Sequence, residues 1–303
     1  MVTQGILDAV GNTPLLEMEG IFVKAEYLNP SGSVKDRIAL YFVEQAEKRG
    51  LLKKGSTIVE ASTGNTGTAL SLVGAAKGYH VVVYMAKGLT KERYQMMKAF
   101  GAEVRFVPKS RMDLAVQKAA ALGKKKGYFH TNQFANPWNA EEHEKFMGRE
   151  IVQQLGRRRV DAVVAGIGTG GTIIGLTRAF RKVNPTVRAY GVEPAACALT
   201  YDHLHTIPGI CRPHQIEGIA DGFVPPLVHR NMHILTDIIK IPSTSAIRET
   251  KRIAKQYGCF VGVCSGANLL AAKMVKGRYG LKTVVTVFTD EGEKYLSEPW
   301  FTR

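Results

Sequence analysis

Lys35 is the residue of this sequence with the clearest capacity for chemistry. It lies in the run Asn-Pro-Ser-Gly-Ser-Val-Lys-Asp-Arg (29–37), whose small residues predict a tight turn, and a helical pattern from Ile38 to Arg49 follows directly. An amine in that position is held by the fold, and a held amine can form a Schiff base with an aldehyde cofactor. Most lysines are solvated surface charges, so this interpretation depends on agreement from other segments.

A loop suited to an anion follows in the run Ser-Thr-Gly-Asn-Thr-Gly (62–67), between a predicted strand ending at Glu60 and a predicted helix. Its small residues let backbone N–H groups approach a ligand, and the start of a helix favours negative charge. Side-chain donors are added by Ser62, Thr63, Asn65 and Thr66. The pattern predicts a carboxylate site, with an ordinary glycine-rich helix cap as the alternative.

A second strand-to-helix loop has the sequence Gly-Ile-Gly-Thr-Gly-Gly-Thr (166–172). Glycines expose their amides, two threonines offer hydroxyls, and the helix dipole points at the anion, which suits a phosphate monoester. The loop also fits the GxGxxG pattern of dinucleotide-binding folds, and Glu193 ends the next predicted strand, near where such folds place an acidic residue. A nicotinamide-dependent oxidoreductase is therefore an alternative from this segment alone.

Predicted strands and helices alternate along almost the whole chain, which indicates an α/β fold with parallel sheets covered on both faces. The predicted strands are 57–60, 80–85, 103–107, 160–165, 188–192 and 283–288, and the predicted helices are 66–77, 91–100, 112–126, 172–183, 245–256 and 267–275. A third strand-to-helix segment, 261–268, carries Cys264 and Ser265, either of which can face a cofactor ring, with a structural turn around a small buried cysteine as the alternative. Ligands of such folds bind beyond the carboxyl ends of strands, where these loops lie.

Composition narrows the classes of protein. The 303 residues are enough for two domains, and the 45% apolar and 22% charged residues are typical of a soluble globular protein. The net charge of +15 is spread over separate basic clusters without interleaved aromatic residues, so we expect no nucleic-acid partner. We also expect a cytoplasmic protein with no membrane partner, because neither a secretory signal nor a membrane-spanning apolar run is visible.

The cysteines predict neither a metal site nor a disulfide framework. Cys197, Cys211, Cys259 and Cys264 form no CxxC pair, and no His/Cys cluster has the spacing of zinc ligands, so we expect no metal. Because disulfides are rare in cytoplasmic proteins, we expect all of these cysteines to be free thiols.

Together these motifs resemble those of one enzyme family. The run around Lys35, the loops 62–67 and 166–172, and the terminal Gly-Glu-Lys-Tyr-Leu (292–296) occur in the order typical of the cysteine synthase (O-acetylserine sulfhydrylase) and cystathionine β-synthase family of fold-type II pyridoxal-phosphate enzymes. The resemblance begins at Gly11 and extends almost to the C-terminus. It implies two open, twisted, mostly parallel sheets flanked by helices, with pyridoxal 5'-phosphate in the cleft between two domains.

The resemblance also implies where the domains lie and which residues form the site. Residues 36–137 are expected to form the smaller domain, with a mobile subdomain near 78–123, and residues 1–35 plus 138–303 the larger one. Implied cofactor-binding residues are Lys35, Asn65, Gly168, Thr169, Gly170, Gly171, Thr172 and Cys264. Implied substrate-binding residues are Ser62, Thr63, Gly64, Asn65, Thr66 and Gln133. A homodimer is implied as well.

The implied reaction is the formation of L-cysteine from an O-activated serine and sulfide, through an α-aminoacrylate intermediate, with Lys35 as the general base. Two residues depart from the family pattern. Cys264 stands where the family has a serine beside the pyridine nitrogen, and Asp221 stands where cysteine synthases carry a small uncharged residue. Asp221 therefore suggests an alternative, a cysteine β-lyase that releases hydrogen sulfide and uses water or another nucleophile to give serine, lanthionine or cystathionine.

Overall fold

Two sheets organise the chain in a computed structural model, which describes residues 5–109 and 111–302. The strands are β1 (Leu15–Met18), β2 (Ile21–Ala25), β3 (Thr57–Ala61), β4 (His80–Ala86), β5 (Glu103–Val107), β6 (Tyr128–His130), β7 (Ala162–Gly166), β8 (Arg188–Pro194), β9 (Asp237–Ile241) and β10 (Val284–Phe288). The smaller sheet has the order β5-β4-β3-β6 and is entirely parallel. The larger has the order β1-β2-β10-β7-β8-β9, parallel except for the β1–β2 pair.

Helices connect the strands. They are α1 (Lys35–Lys48), α2 (Asn65–Lys77), α3 (Lys91–Ala99), α4 (Met112–Gly123), α5 (Trp138–Glu142), α6 (Gly148–Leu155), α7 (Gly171–Arg181), α8 (Leu199–Leu204), α9 (Pro226–His229), α10 (Ser243–Tyr257), α11 (Val263–Tyr279) and α12 (Pro299–Thr302). Single turns of 3-10 helix lie at Ile6–Ala9, Glu26–Leu28, Met232–Ile234 and Gly292–Tyr295, and a π-helical turn at His143–Met147. Among the described residues, no helix is long and apolar enough to cross a membrane.

Both sheets are buried on both faces. In β7, Val163 packs into one hydrophobic cluster while its neighbour Val164 packs into the cluster on the opposite side. In β3, Ile58 and Val59 divide in the same way. Successive side chains of a strand point to opposite faces, so each sheet is the middle layer of a three-layer arrangement. The predicted fold class, two mostly parallel sheets flanked by helices, is confirmed.

The segment 261–268 differs from its prediction. Val261 makes a single bridge to Glu291 and belongs to no strand, and α11 already begins at Val263. Cys264 and Ser265 therefore lie in the first turn of a helix. Over a run as short as 261–268, glycine and small apolar residues are compatible with either a strand or a helix, so the sequence pattern does not distinguish the two.

The prediction that all cysteines are free thiols is wrong for two of them. Cys197 and Cys211 form a disulfide with a Cα–Cα distance of 4.0 Å, whereas Cys259 and Cys264 are free. Cys197 lies just after β8, and the chain returns after α8 to bring Cys211 opposite it in an isolated antiparallel bridge. A spacing of 14 residues in sequence does not indicate this proximity, because it depends on the path of the loop.

We expect Cys211→Ser to lower stability through the loop that this disulfide closes. A cross-link over about 14 residues restricts the unfolded chain and stabilises the fold by about 3 kcal/mol. Chemical unfolding of the wild-type protein and the variant, each with and without a dithiol reductant, measures this difference. The two proteins should differ without reductant and coincide with it. Identical curves for the oxidised wild-type protein and the variant would contradict the expectation.

Candidate active site

Lys35 begins α1, at the end of a turn that is tied to both neighbouring segments. The Val34 N–H donates to the carbonyl of Thr289 at 2.8 Å, and the Lys294 ammonium donates to the carbonyl of Gly32 at 3.1 Å. Within the turn, the Ser31 N–H donates to the Asp36 carboxylate at 2.6 Å. The turn predicted from the small residues is therefore present, and buried polar contacts hold it in place.

The Lys35 side chain is partly buried and lines a cleft between the two sheets. Burial lowers the pKa of its amine, while Asp221, Cys264 and Asp290 oppose that shift. A lowered pKa increases the fraction of neutral amine, which is the form that acts as a nucleophile or a base.

One wall of this cleft is formed by residues 62–66, the part of the loop 62–67 that leads from β3 into the first turn of α2. These residues are called the loop 62–66 below. The Ser62 hydroxyl accepts hydrogen bonds from the N–H groups of Gly64 and Gly67, both at 3.0 Å. Thr66 donates to the Gln133 side-chain oxygen at 2.5 Å, so Gln133 is joined to the loop. The residues of this wall that face the cleft with Lys35 are Ser62, Thr63, Asn65, Thr66 and Gln133.

The opposite wall of the cleft is formed by residues 168–172, the part of the loop 166–172 that leads from β7 into the first turn of α7. These residues are called the loop 168–172 below. The first amides of α7 have no partner within the helix, so they are free to bind an anion in the cleft. Gly170 has φ +83°, a left-handed conformation that favours glycine, and a Cβ there would lie 2.2 Å from Val228. The cleft residues contributed by this loop are Gly168, Thr169, Gly170 and Thr172.

The two halves of the cleft are continuous, because Lys35, Gly168, Thr169, Gly218 and Thr289 line both. The structure therefore brings together, around one amine, the two loops that the sequence singled out separately. One of these loops suits a carboxylate and the other suits a phosphate.

Asp221 lies at this cleft beside the loop 62–66. Burial raises the pKa of its carboxyl to about 6, while the positive charges of Lys35 and Arg93 oppose the shift. A carboxylate with a pKa near neutrality is suited to exchanging protons with a small molecule.

Asp290 is a functional candidate that the sequence reasoning missed. Its buried carboxylate accepts hydrogen bonds from the Asn65 amide at 2.7 Å and from the Tyr295 hydroxyl at 2.6 Å. The Cys264 thiol also points to it, with a sulfur–oxygen distance of 3.5 Å, and burial raises the pKa of that thiol well above its ordinary value. Asp290 lies two residues before the run 292–296, and this position was the available signal.

Glu193, which supported the dinucleotide-binding alternative, forms hydrogen bonds with backbone groups of the protein itself. Its buried carboxylate accepts hydrogen bonds from the N–H groups of Thr200 at 3.1 Å and Tyr201 at 3.0 Å, at the start of α8. The carboxylate stabilises a helix start and is not directed at the loop 168–172.

Comparison with known proteins identifies the family. Residues 6–290 match the family described as pyridoxal-phosphate dependent enzyme. The chain belongs to this family. It is 40% identical over 307 residues to the cysteine synthase of Staphylococcus aureus, covering 98% of this chain and 96% of that protein. It is therefore an enzyme of the cysteine synthase type that depends on pyridoxal 5'-phosphate.

Solved structures agree with the sequence relatives. The O-acetylserine dependent cystathionine β-synthase of Helicobacter pylori superposes with a TM-score of 0.92 at 32% identity, covering 99% of each chain. A hydrogen sulfide-producing enzyme of Fusobacterium nucleatum superposes with a TM-score of 0.90 at 33% identity, covering 98% of this chain and 90% of that one. The predicted family is confirmed by both kinds of comparison.

The residues of the cleft fit pyridoxal 5'-phosphate. Buried side-chain oxygens of Asn65 and Asn268 have no hydrogen-bond partner within the described chain, and both side chains line the cleft. Such atoms are costly to bury unless a ligand or water satisfies them. An amine, a glycine-rich helix start and unsatisfied amide groups together match the aldehyde, phosphate and polar ring substituents of this cofactor.

Proposed function

We propose that this enzyme makes L-cysteine from an O-activated serine, such as O-acetylserine, and sulfide. The observation that carries the proposal is the convergence of Lys35, the loop 62–66 and the loop 168–172 on one cleft, in a chain 40% identical to a cysteine synthase. A cysteine β-lyase that releases hydrogen sulfide is a second candidate, supported by Asp221 at the cleft and by the likeness to a hydrogen sulfide-producing enzyme.

In this proposal the amine of Lys35 would hold the aldehyde group of the cofactor, and Asn65 would hold its ring oxygen. Cys264 would stand beside the ring nitrogen. The phosphate is held by Gly168, Thr169, Gly170, Gly171 and Thr172. The substrate carboxylate would be held by Ser62, Thr63, Gly64, Asn65 and Thr66, assisted by Gln133, which lines the same cleft and accepts a hydrogen bond of 2.5 Å from Thr66.

The bound cofactor supplies a conjugated ring that accepts the electron pair left when the Cα proton is removed. Lys35 would remove that proton as the general base, and burial assists because it lowers the pKa of the amine. The loop 62–66 orients the substrate carboxylate, so that the Cα proton is presented to Lys35. The same amine would return a proton to Cα to complete the reaction.

The Cys264 thiol remains neutral in this site, because burial raises its pKa. A neutral thiol is a weak hydrogen-bond partner and does not hold a ring nitrogen in its protonated form, as a carboxylate would. This is compatible with loss of the β-substituent.

A matrix of donors and nucleophiles tests the proposed function. O-acetylserine, O-phosphoserine, serine and cysteine are each supplied with sulfide, homocysteine and water, and the products are identified by mass. Cysteine synthesis predicts that O-acetylserine with sulfide is the fastest pair, whereas the lyase predicts that cysteine with water releases hydrogen sulfide faster. Absence of any β-replacement or β-elimination product from a yellow, cofactor-loaded protein would overturn both candidates.

Several features implied by the sequence stay predictions. These are the domain boundaries at 36–137 and at 1–35 plus 138–303, the mobile subdomain near 78–123, the homodimer and the cytoplasmic location. The small sheet is formed by strands between residues 57 and 130, which is compatible with those boundaries. Sedimentation of the purified protein measures its oligomeric state.

A further inference from the structure

Arg93 is a fully buried arginine to which the mechanism above assigns no role. It lies on α3, a helix that packs against β5 of the smaller sheet. Its guanidinium donates to the Thr90 hydroxyl at 2.7 Å. It also donates to the backbone carbonyl of Thr63 at 3.3 Å and forms an ion pair with Glu217. A buried charge is costly unless it is paired, so Arg93 depends on Glu217.

The contacts on one side of Arg93 reach the substrate carboxylate loop 62–66. Besides its hydrogen bond to Thr63, Arg93 packs directly against Gly64, where a Cβ would lie 2.1 Å from the Arg93 Cδ atom. Gly64 has φ +155°, a conformation that L-residues rarely adopt. The arginine therefore forms part of the surface against which this loop folds.

The contacts on the other side of Arg93 reach the segment that carries Asp221. Glu217 stands at the start of this segment, four residues before Asp221. Gly218 and Ala220, which lie between these two residues, have φ values of +88° and +56°, and Gly222, which follows Asp221, has a φ value of +87°. Ala220 is a non-glycine residue in a left-handed conformation, which is costly unless surrounding contacts hold it, and the glycines beside it leave the backbone flexible. The Glu217–Arg93 pair is one contact that holds this segment.

A second contact on the same helix provides a matched comparison. Glu92 accepts hydrogen bonds from the N–H of Ser297 at 2.7 Å and from its hydroxyl at 2.8 Å, in an exposed position. Like Arg93, Glu92 joins α3 to a segment outside the smaller sheet. Unlike Arg93, it touches neither the loop 62–66 nor the segment that carries Asp221.

We infer that Arg93 is a positioning residue that couples the loop 62–66 to the Asp221 segment 217–223 through its ion pair with Glu217. Substrate carboxylate binding and the position of Asp221 then both depend on the contacts of Arg93 with Thr63 and Glu217. Breaking the pair loosens both loops together. The consequence for catalysis rests on the proposed function, whereas the coupling of the loops does not.

Hydrogen–deuterium exchange of the holoenzyme tests the coupling directly. Glu217→Gln keeps the shape of the side chain and removes its charge, and Arg93→Lys keeps the charge and removes the planar fork. Loss of a charge-assisted hydrogen bond should speed exchange about tenfold in peptides covering both 62–67 and 217–223. Glu92→Gln should leave both peptides unchanged. Faster exchange in one loop alone, or the same response in Glu92→Gln, overturns the inference.

Kinetics then separate a positioning role from a general structural one. In Glu217→Gln we expect KM for the amino-acid donor to rise about tenfold, with kcat and the visible absorbance of the cofactor close to wild type. The thermal midpoint should fall, because the buried Arg93 loses its charged partner. A fall in kcat alone, or loss of the absorbance, would contradict the positioning role. If the wild-type protein shows no β-replacement or β-elimination, the proposed function fails while the exchange result still decides the coupling.

Discussion

Lys35→Ala should abolish the visible absorbance of the bound cofactor and lower turnover by about a thousandfold or more. The absorbance is lost because no amine remains to bind the aldehyde carbon, and turnover is lost because the general base is absent, an effect of about 10²–10⁴ by itself. Absorbance spectra before and after borohydride treatment, with rates of cysteine formation, measure both effects.

Lys48→Ala is a matched control, since Lys48 ends the same helix α1 and is exposed. It should keep the absorbance, the borohydride bleaching and the turnover of the wild-type protein. A Lys35→Ala protein that keeps normal β-replacement activity would show that the amine of the cleft has another role.

Asp221→Asn separates the two candidate functions. If the Asp221 carboxylate activates water, its loss lowers the formation of serine from cysteine by about a hundredfold or more, the range of a general base. Cysteine formation from O-acetylserine and sulfide should change only a few-fold, because sulfide is already ionised near neutral pH. Quantifying serine and cysteine by mass in parallel reactions measures the ratio.

The exposed Asp113, on α4, is a control for the loss of one carboxylate, and Asp113→Asn should change neither product. Equal losses of both products in Asp221→Asn would indicate a structural role, and unchanged rates of both would exclude a role for Asp221 in activating a nucleophile.

The pH dependence of the water reaction provides an independent test of Asp221. Burial raises the pKa of this carboxyl to about 6, and only its ionised form accepts a proton. Serine formation should therefore increase as the pH rises through about 6, and this limb should disappear in Asp221→Asn. A limb near the ordinary pKa of an aspartate would show that the carboxyl is more exposed to water in the working enzyme.

The sequence alone predicted the fold class and the two loops that meet Lys35 at the cleft. Lys35 and the loops 62–66 and 168–172 are recognisable because their chemistry is local: small residues, helix starts and preceding strands are encoded within a few consecutive positions. Their meeting at one cleft also follows from a general property of parallel sheets, which bind ligands beyond the carboxyl ends of their strands.

The tertiary structure decided which distant side chains complete that site. Asp290 hydrogen-bonds Asn65 across 225 residues of sequence, and Arg93 pairs with Glu217 across 124. Cys197 and Cys211 meet only because the chain after β8 turns back on itself. The physical reason is that periodicity and turn chemistry describe the conformation of a segment, whereas these pairs depend on how segments that are remote in sequence pack against one another.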